Sequence, residues 1–329
     1  MTNFANRAGM VPLSRRVRAY FAPVNRATET PALFDPGKYG LFDLSSPPAP
    51  WIDLGWIDNF ERTSLTPSEP LRAGVRGAAA AQFRGILDAR VEFDFREWGK
   101  LQMALAGGSE HMNVLASDPN AAAQPSGGTP LTAVAVLPGS TASEIVVGAG
   151  SVGAFSAGDI IAVDADYQEQ TGYVGAGISA AYVNNPADVN HDANYIRRVT
   201  FNLGRVADLT ATSLLLAQPL LGGAPPNGDA VQKVVAFVDR EGGALFQEWS
   251  ALFIAEEESG GRACFHYPRL SPASLPTNLP KEEAIEIAKP IAAWTLHAGF
   301  IALPHTDEND GQIAVCYRSY FPAAMAAMY

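Results

Sequence analysis

The stretch from Leu87 to Arg96 restricts the possible folds of this chain more than any other. Apolar side chains stand at Leu87, Ala89, Val91, Phe93 and Phe95, and Asp88, Arg90, Glu92, Asp94 and Arg96 fill every position between them. Strict period two puts one set on each face of a β-strand. Such a strand belongs in an antiparallel sheet with one packed face and one wet face.

The same reading extends along much of the chain. Short β-branched runs at Glu144–Val147, Ile160–Val163, Tyr195–Leu203 and Ser213–Leu216 are separated by Gly, Asn and Asp turns, which suggests a small barrel or sandwich. Further strands are expected at Lys233–Asp239, Glu248–Ala255, Arg262–Tyr267, Trp294–Leu303 and Gln312–Tyr320, the last two joined across the turn signal Asp310-Gly311. Helix is sparse. Trp98, Leu101, Ala104 and Leu105 share a helical face that Gly107-Gly108 would end, and Lys281–Lys289 carries acids early, lysine late and Pro290 as a stop. The expected fold is mainly β.

Two Gly/Pro-rich stretches, Asp118–Pro130 and Gly222–Gly228, read as linkers. They imply a body over 51–117 and 230–329, interrupted by an inserted small β-barrel domain over 118–229. Residues 1–50 hold seven prolines and no sustained period, as in an extended arm with a short strand near Val17–Tyr20. The arm is basic: Arg7, Arg15, Arg16, Arg18 and Arg26 precede the first acid, in a chain whose net charge is −11. An acidic body repels phosphate, which argues against gripping nucleic acid over the whole surface. The arm suits docking on an acidic neighbour, or is a solvated terminus. No apolar run nears the ~20 residues of a membrane span, and no secretory signal is evident. Two cysteines, Cys264 and Cys316, exclude a disulfide scaffold and fit a soluble product of a reducing cytosol.

Motifs that carry chemistry fail on their context. Gly148-x-Gly150-x-x-Gly153 follows a strand, as in dinucleotide sites, but the next strand begins at Ile160 and leaves no room for the helix that would hold a pyrophosphate. Asp188-x-Asn190-x-Asp192-x-Asn194 has alternating oxygen ligands but Ala193 and Val199 where a calcium loop needs Gly and Glu. Asp307–Gly311 reads as a charged turn. His111, His191, His266, His297 and His305 make no zinc spacing, and His266 and His297 read as satisfied sheet histidines. No catalytic, cofactor or metal site is expected.

Trp51–Phe60 followed by the 87–96 strand and Trp98–Gly108, then Cys264-Phe-His-Tyr-Pro-Arg269 and Cys316-Tyr-Arg-Ser-Tyr-Phe-Pro322, resemble the major tail-tube proteins of tailed phages over about half the chain, around the insert. The resemblance implies a non-enzymatic virion protein, assembled in the host cytoplasm into stacked rings, usually of six, that form a DNA channel. Its partners would be copies of itself and other tail proteins (a sheath if the tail contracts, a terminator, a baseplate), with DNA only in transit and no membrane. Asp88, Arg90, Glu92, Asp94 and Arg96 would then face the lumen, and Arg7, Arg15, Arg16 and Arg18 would reach the next ring. Two other classes compete: a receptor- or carbohydrate-binding tail protein using Tyr167, Tyr173, Tyr182 and Tyr195, and a dinucleotide-dependent enzyme built on Gly148.

Overall fold

The computed structural model describes residues 14–25, 28–66, 68–73, 78–84, 87–118, 120, 130–164, 170–174, 179–184, 196–240, 247–257, 260–273 and 296–322. The fold is mainly β and antiparallel. It divides into two compact units, Met1–Gly108 with Gln247–Tyr329, and Ser109–Phe246.

The first unit contains β1 (Ser14–Pro23), α1 (Pro36–Tyr39), β2 (Ile52–Leu65), β3 (Ser68–Ala73), β4 (Ala78–Arg84), β5 (Asp88–Phe95) and α2 (Lys100–Gly107). The second contains β6 (Glu110–Leu115), β7 (Val134–Ala135), β8 (Glu144–Val146), β9 (Ile160–Asp164), β10 (Gln170–Val174), β11 (Ser179–Asn184), β12 (Leu203–Leu209), β13 (Ser213–Leu216) and β14 (Ala230–Arg240). The chain returns to the first unit with β15 (Trp249–Glu257), β16 (Arg262–Pro272), β17 (Leu296–Ala302), β18 (His305–Thr306), β19 (Ile313–Ala314) and β20 (Tyr317–Phe321).

Six strands in the order β15-β1-β2-β5-β17-β16 close into a barrel because β16 pairs back onto β15, and β20 adds to β16. Closure removes sheet edges that would otherwise template aggregation. The interior is aromatic. Phe93 lies 4.9 Å from Phe95, 5.4 Å from Phe253 and 5.6 Å from Phe300, and Phe21 lies 5.5 Å from Phe300 and 6.3 Å from Trp249. All six are buried. Each of these buried side chains contributes about 1.5–3 kcal/mol to the stability of the unit.

The outside of the barrel has two characters. Over β1, β15 and β16, residues 28–51 cover Tyr20, Ala22, Leu252, Ile254 and Cys264 with Phe34, Leu44 and Trp51. Over β2 and β5 the outward side chains are largely charged, and β17 adds His297 beside them. α2 packs against β17 and β16, burying Leu101, Ala104 and Leu105. It ends at Gly108, whose φ of 58° is the left-handed cap foreseen for Gly107-Gly108.

In the second unit the sheet runs β10-β11-β6-β14-β9-β12-β13-β8, with β7 also on β14. It rolls far enough for Leu137 N–H to donate to Val146 C=O at 2.8 Å, linking the chain after β7 to β8 around Ile145, Ile161, Val206 and Leu214. This unit is wider than the 118–229 insert read from the linkers. β6 pairs with β14 from Glu110 to Leu115, and that ladder assigns both strands to it.

Two further differences concern local structure. The strand expected over Tyr195–Leu203 is, in its described part, a π-helical turn at Arg197–Phe201, with β12 beginning at Leu203. Ile196, Val199 and Leu203 have the spacing of one helical face and pack on Met112 and Ala162. The short strand expected near Val17–Tyr20 is present but longer, Ser14–Pro23, and it lies between β15 and β2 in the barrel wall rather than in an extended arm. The helix expected at Lys281–Lys289 and the loop Asp188–Asn194 lie outside the described residues.

Candidate functional site: the charged face of the barrel

β5 alternates as its sequence requires. Ala89, Val91, Phe93 and Phe95 are buried, and Asp88, Arg90, Glu92 and Asp94 point away from them. Leu87 departs from the expected apolar set: it precedes the strand and is 37% exposed.

The charges on the outward face are held in pairs. Arg90 donates to Asp88 at 3.0 and 3.1 Å, and Arg96 grips Asp58 of β2, with its Nε 2.6 Å from Oδ2. These bonds raise the affinity of both guanidiniums for their protons, and the Arg90 bond lowers the Asp88 carboxyl below its ordinary range. Asp94 accepts from Asn59 Nδ2 at 2.6 Å and lies 2.8 Å from Nδ1 of His297 on β17, whose Nε2 is 3.8 Å from Glu92. The register puts Asp58, Asp94 and His297 in one cross-strand row and Glu61 opposite Glu92 in the next. The face therefore gathers five carboxylates, Asp58, Glu61, Asp88, Glu92 and Asp94, against Arg90, Arg96 and His297. Both arginines are committed to Asp88 and Asp58, so the remainder is acidic.

The contribution of β2 was not legible in the sequence. Two bulges interrupt its alternation, one opposite β1 around Gly55, with φ 85°, and one opposite β5 at Asn59, with φ 51°. A bulge turns a strand and re-aims the side chains beyond it. Asn tolerates this left-handed conformation better than most residues, and its amide reaches Asp94. The only signal was polar: Asp58-Asn59 standing between Trp56-Ile57 and Phe60.

The basic residues assigned to the arm divide. Arg7 lies outside the described residues, and Arg15 falls on the backbone of β1. Arg16 lies 5.8 Å over the Trp56 ring. Arg18 makes a bidentate pair with Asp53, 2.9 Å from its Nε, and sits 5.3 Å over the same ring. Arg18 is thus engaged within its own barrel wall, which corrects its assignment to an arm.

Other candidates separate similarly. Gly148 opens a tight turn at φ 82°, and after it comes a single 3-10 turn at Val152–Ala154 and then β9, so the long helix of a dinucleotide site does not form there. Asp307–Gly311 makes the hairpin turn between β18 and β19, Asp307 accepting from Asn309 and from the Tyr317 hydroxyl at 2.9 Å. Burial pushes the Cys264 thiol up to about 11. Tyr173 and Tyr182 fall on β10 and β11, whereas Tyr167 and Tyr195, like His191, lie outside the described residues. Among the described residues, no group of three or more His, Cys, Asp or Glu is arranged to hold a metal ion. No helix among them is long and apolar enough to cross a membrane.

No protein-family model matches the chain, and no curated protein matches it. The class that the fold defines is a mainly β protein of two units, one of them a closed six-stranded barrel with a covered side and a charged side.

Proposed function

We propose that the chain is a structural subunit of a phage-type tail tube, assembling into stacked rings of six around a channel for DNA. The observation that carries this reading is the acidic, internally paired face of β2, β5 and β17. It is held rigid by the barrel and is net negative, as suits a wall that must let a polyanion pass without retaining it. Asp88, Arg90, Glu92, Asp94 and Arg96 line the channel, and Asp58, Glu61 and His297 join them.

The β3–β4 ribbon supports assembly. It pairs with no other strand among the described residues. A two-stranded ribbon alone is marginal in water, and a partner surface stabilises it. Residues 68–84 carry Arg72, Arg76 and Arg84 against one acid, Glu69, in a chain of net charge −11. Charge complementarity therefore favours another copy of the chain as its partner, and the ring-to-ring contact moves from the N-terminal arginines to this ribbon. In this reading the protein resides in the virion tail after assembly in the host cytoplasm, beside other tail proteins, and performs no catalysis. Sedimentation velocity with negative-stain microscopy tests it: rings or tubes are expected, and a monomer at all concentrations refutes it.

A further inference from the structure

The segment covering β1, β15 and β16 is tied down by few polar bonds. Among the described residues, four side chains reach the backbone of residues 28–51: Tyr20 donates to Leu44 C=O at 2.9 Å, Arg262 donates to Phe42 C=O at 2.6 Å, Ser250 Oγ accepts from Ala32 N–H at 2.8 Å, and His266 Nε2 donates to Ala32 C=O at 3.2 Å. Of these four residue types, histidine alone ordinarily changes charge between neutral and mildly acidic pH.

Its surroundings suit a neutral ring only. His266 is buried, edge-on to Trp51 at 5.7 Å and stacked on Tyr317 at 5.7 Å. The titratable groups facing it are His305 from β18, Tyr317 from β20 with its hydroxyl on Asp307, and Cys264 beside it on β16. The covering segment contributes the Ala32 carbonyl and the Trp51 ring. Two other polar atoms near this point, Trp51 Nε1 and His305 Nε2, are buried with no hydrogen-bond partner among the described residues. Burial pushes His266 down to about 4, opposed by the Ala32 bond and reinforced by His305.

We propose that His266 is an acid-operated latch, whose protonation lifts residues 28–51 off the barrel while the barrel stays folded. A buried imidazolium must regain water. Lifting the covering segment hydrates His266, Trp51 Nε1 and His305 together and sacrifices few polar bonds. Unfolding the barrel would break every strand ladder for the same gain. The sign comes from linkage. The closed form holds the ring neutral, so opening gains about tenfold per pH unit as pH falls from about 6.5, and levels off near 4, for ~300-fold in all. Opening bares an apolar surface of Tyr20, Ala22, Leu252, Ile254 and Cys264.

Cys264 reports the event. In a Cys316→Ala chain it is the sole thiol, since the sequence has two cysteines. Its labelling by dithiodipyridine is measured from pH 7.5 to 3.5 and divided by the rate for glutathione at each pH, with far-UV circular dichroism alongside. The latch requires relative labelling to rise about tenfold per pH unit below about 6.5 with the dichroism unchanged, and to stay flat in His266→Gln, whose amide can keep the Ala32 bond without charging. A flat profile in the parent overturns the proposal, as does the same rise in His266→Gln, or loss of dichroism in step with labelling. Histidine Cε1–H NMR on the Cys316→Ala chain provides an independent check without altering residue 266. The His266 resonance must titrate below the ordinary value near 6.5, with its midpoint at the pH where labelling levels off, and a midpoint at 6.5 overturns the latch.

Discussion

Phe93→Ala is the substitution that most sharply separates the inside of the barrel from its charged outside. The Phe93 ring is fully buried and meets Phe21, Phe95, Phe253 and Phe300 at centroid distances between 4.9 and 6.4 Å. Four strands supply those rings, so no single neighbour can close the gap. The cost belongs at about 3–5 kcal/mol, the range for a buried Phe cut to Ala. That is a large share of the ~5–15 kcal/mol by which a folded domain exceeds its unfolded chain. The assay can be confined to the right unit. All five tryptophans, Trp51, Trp56, Trp98, Trp249 and Trp294, belong to the first unit, so tryptophan fluorescence in urea reports its unfolding alone. With a slope of about 2 kcal/mol per molar, the midpoint should fall by roughly 2 M. Asp88→Asn, on the opposite face and half-exposed, should move it by no more than about 0.3 M. Equal shifts for the two variants, or a Phe93→Ala midpoint close to that of the parent, would refute the inward assignment of that face.

Other substitutions test the charged face and its surroundings. Glu61→Lys, at an exposed position opposite Glu92, should leave stability within about 0.5 kcal/mol, yet slow DNA ejection at low salt with relief at high salt; ejection indifferent to salt and to the substitution removes the face from the channel. Asp94→Lys should cost about 0.5–1.5 kcal/mol rather than be neutral, because it removes the bonds that Asp94 makes with Asn59 and His297; urea midpoints equal to those of Glu61→Lys would contradict this. Burial raises Tyr267 to about 12, against the opposing Arg62 bond, so the stability it contributes is complete below its ordinary value near 10 and is lost as pH rises through 12. Between those values the fluorescence-detected stability should decline less steeply in Tyr267→Phe, and an unchanged slope excludes Tyr267 as a source.

Local regularity decided what could be read from the sequence. β5 and α2 were legible because each follows one period without interruption, and α2 ends on glycines suited to stop it. β2 was not, since its bulges at Gly55 and Asn59 shift the inward set twice within a single strand. The π-helical turn at Arg197–Phe201 reads as strand because its β-branched residues favour strand locally, whereas packing of Val199 on Met112 and Leu115 rewards helical spacing. Proline-rich composition made residues 1–50 look like an arm. Their fate was set by non-local partners: Asp53 for Arg18, and Ser250 and His266 for Ala32. On the charged face, the period of β5 supplied one row, but His297 and Asp58 joined it only through strand pairing across more than thirty residues of sequence.

The orientation of that face can be seen directly in an assembled particle. Cryo-electron microscopy of the assembled protein should show stacked rings in which Glu61, Glu92 and Asp94 border an open channel and the β3–β4 ribbon contacts the adjacent ring. A particle with those carboxylates buried between subunits or turned to the outer surface would contradict the account, as would a protein that forms no assembly at all.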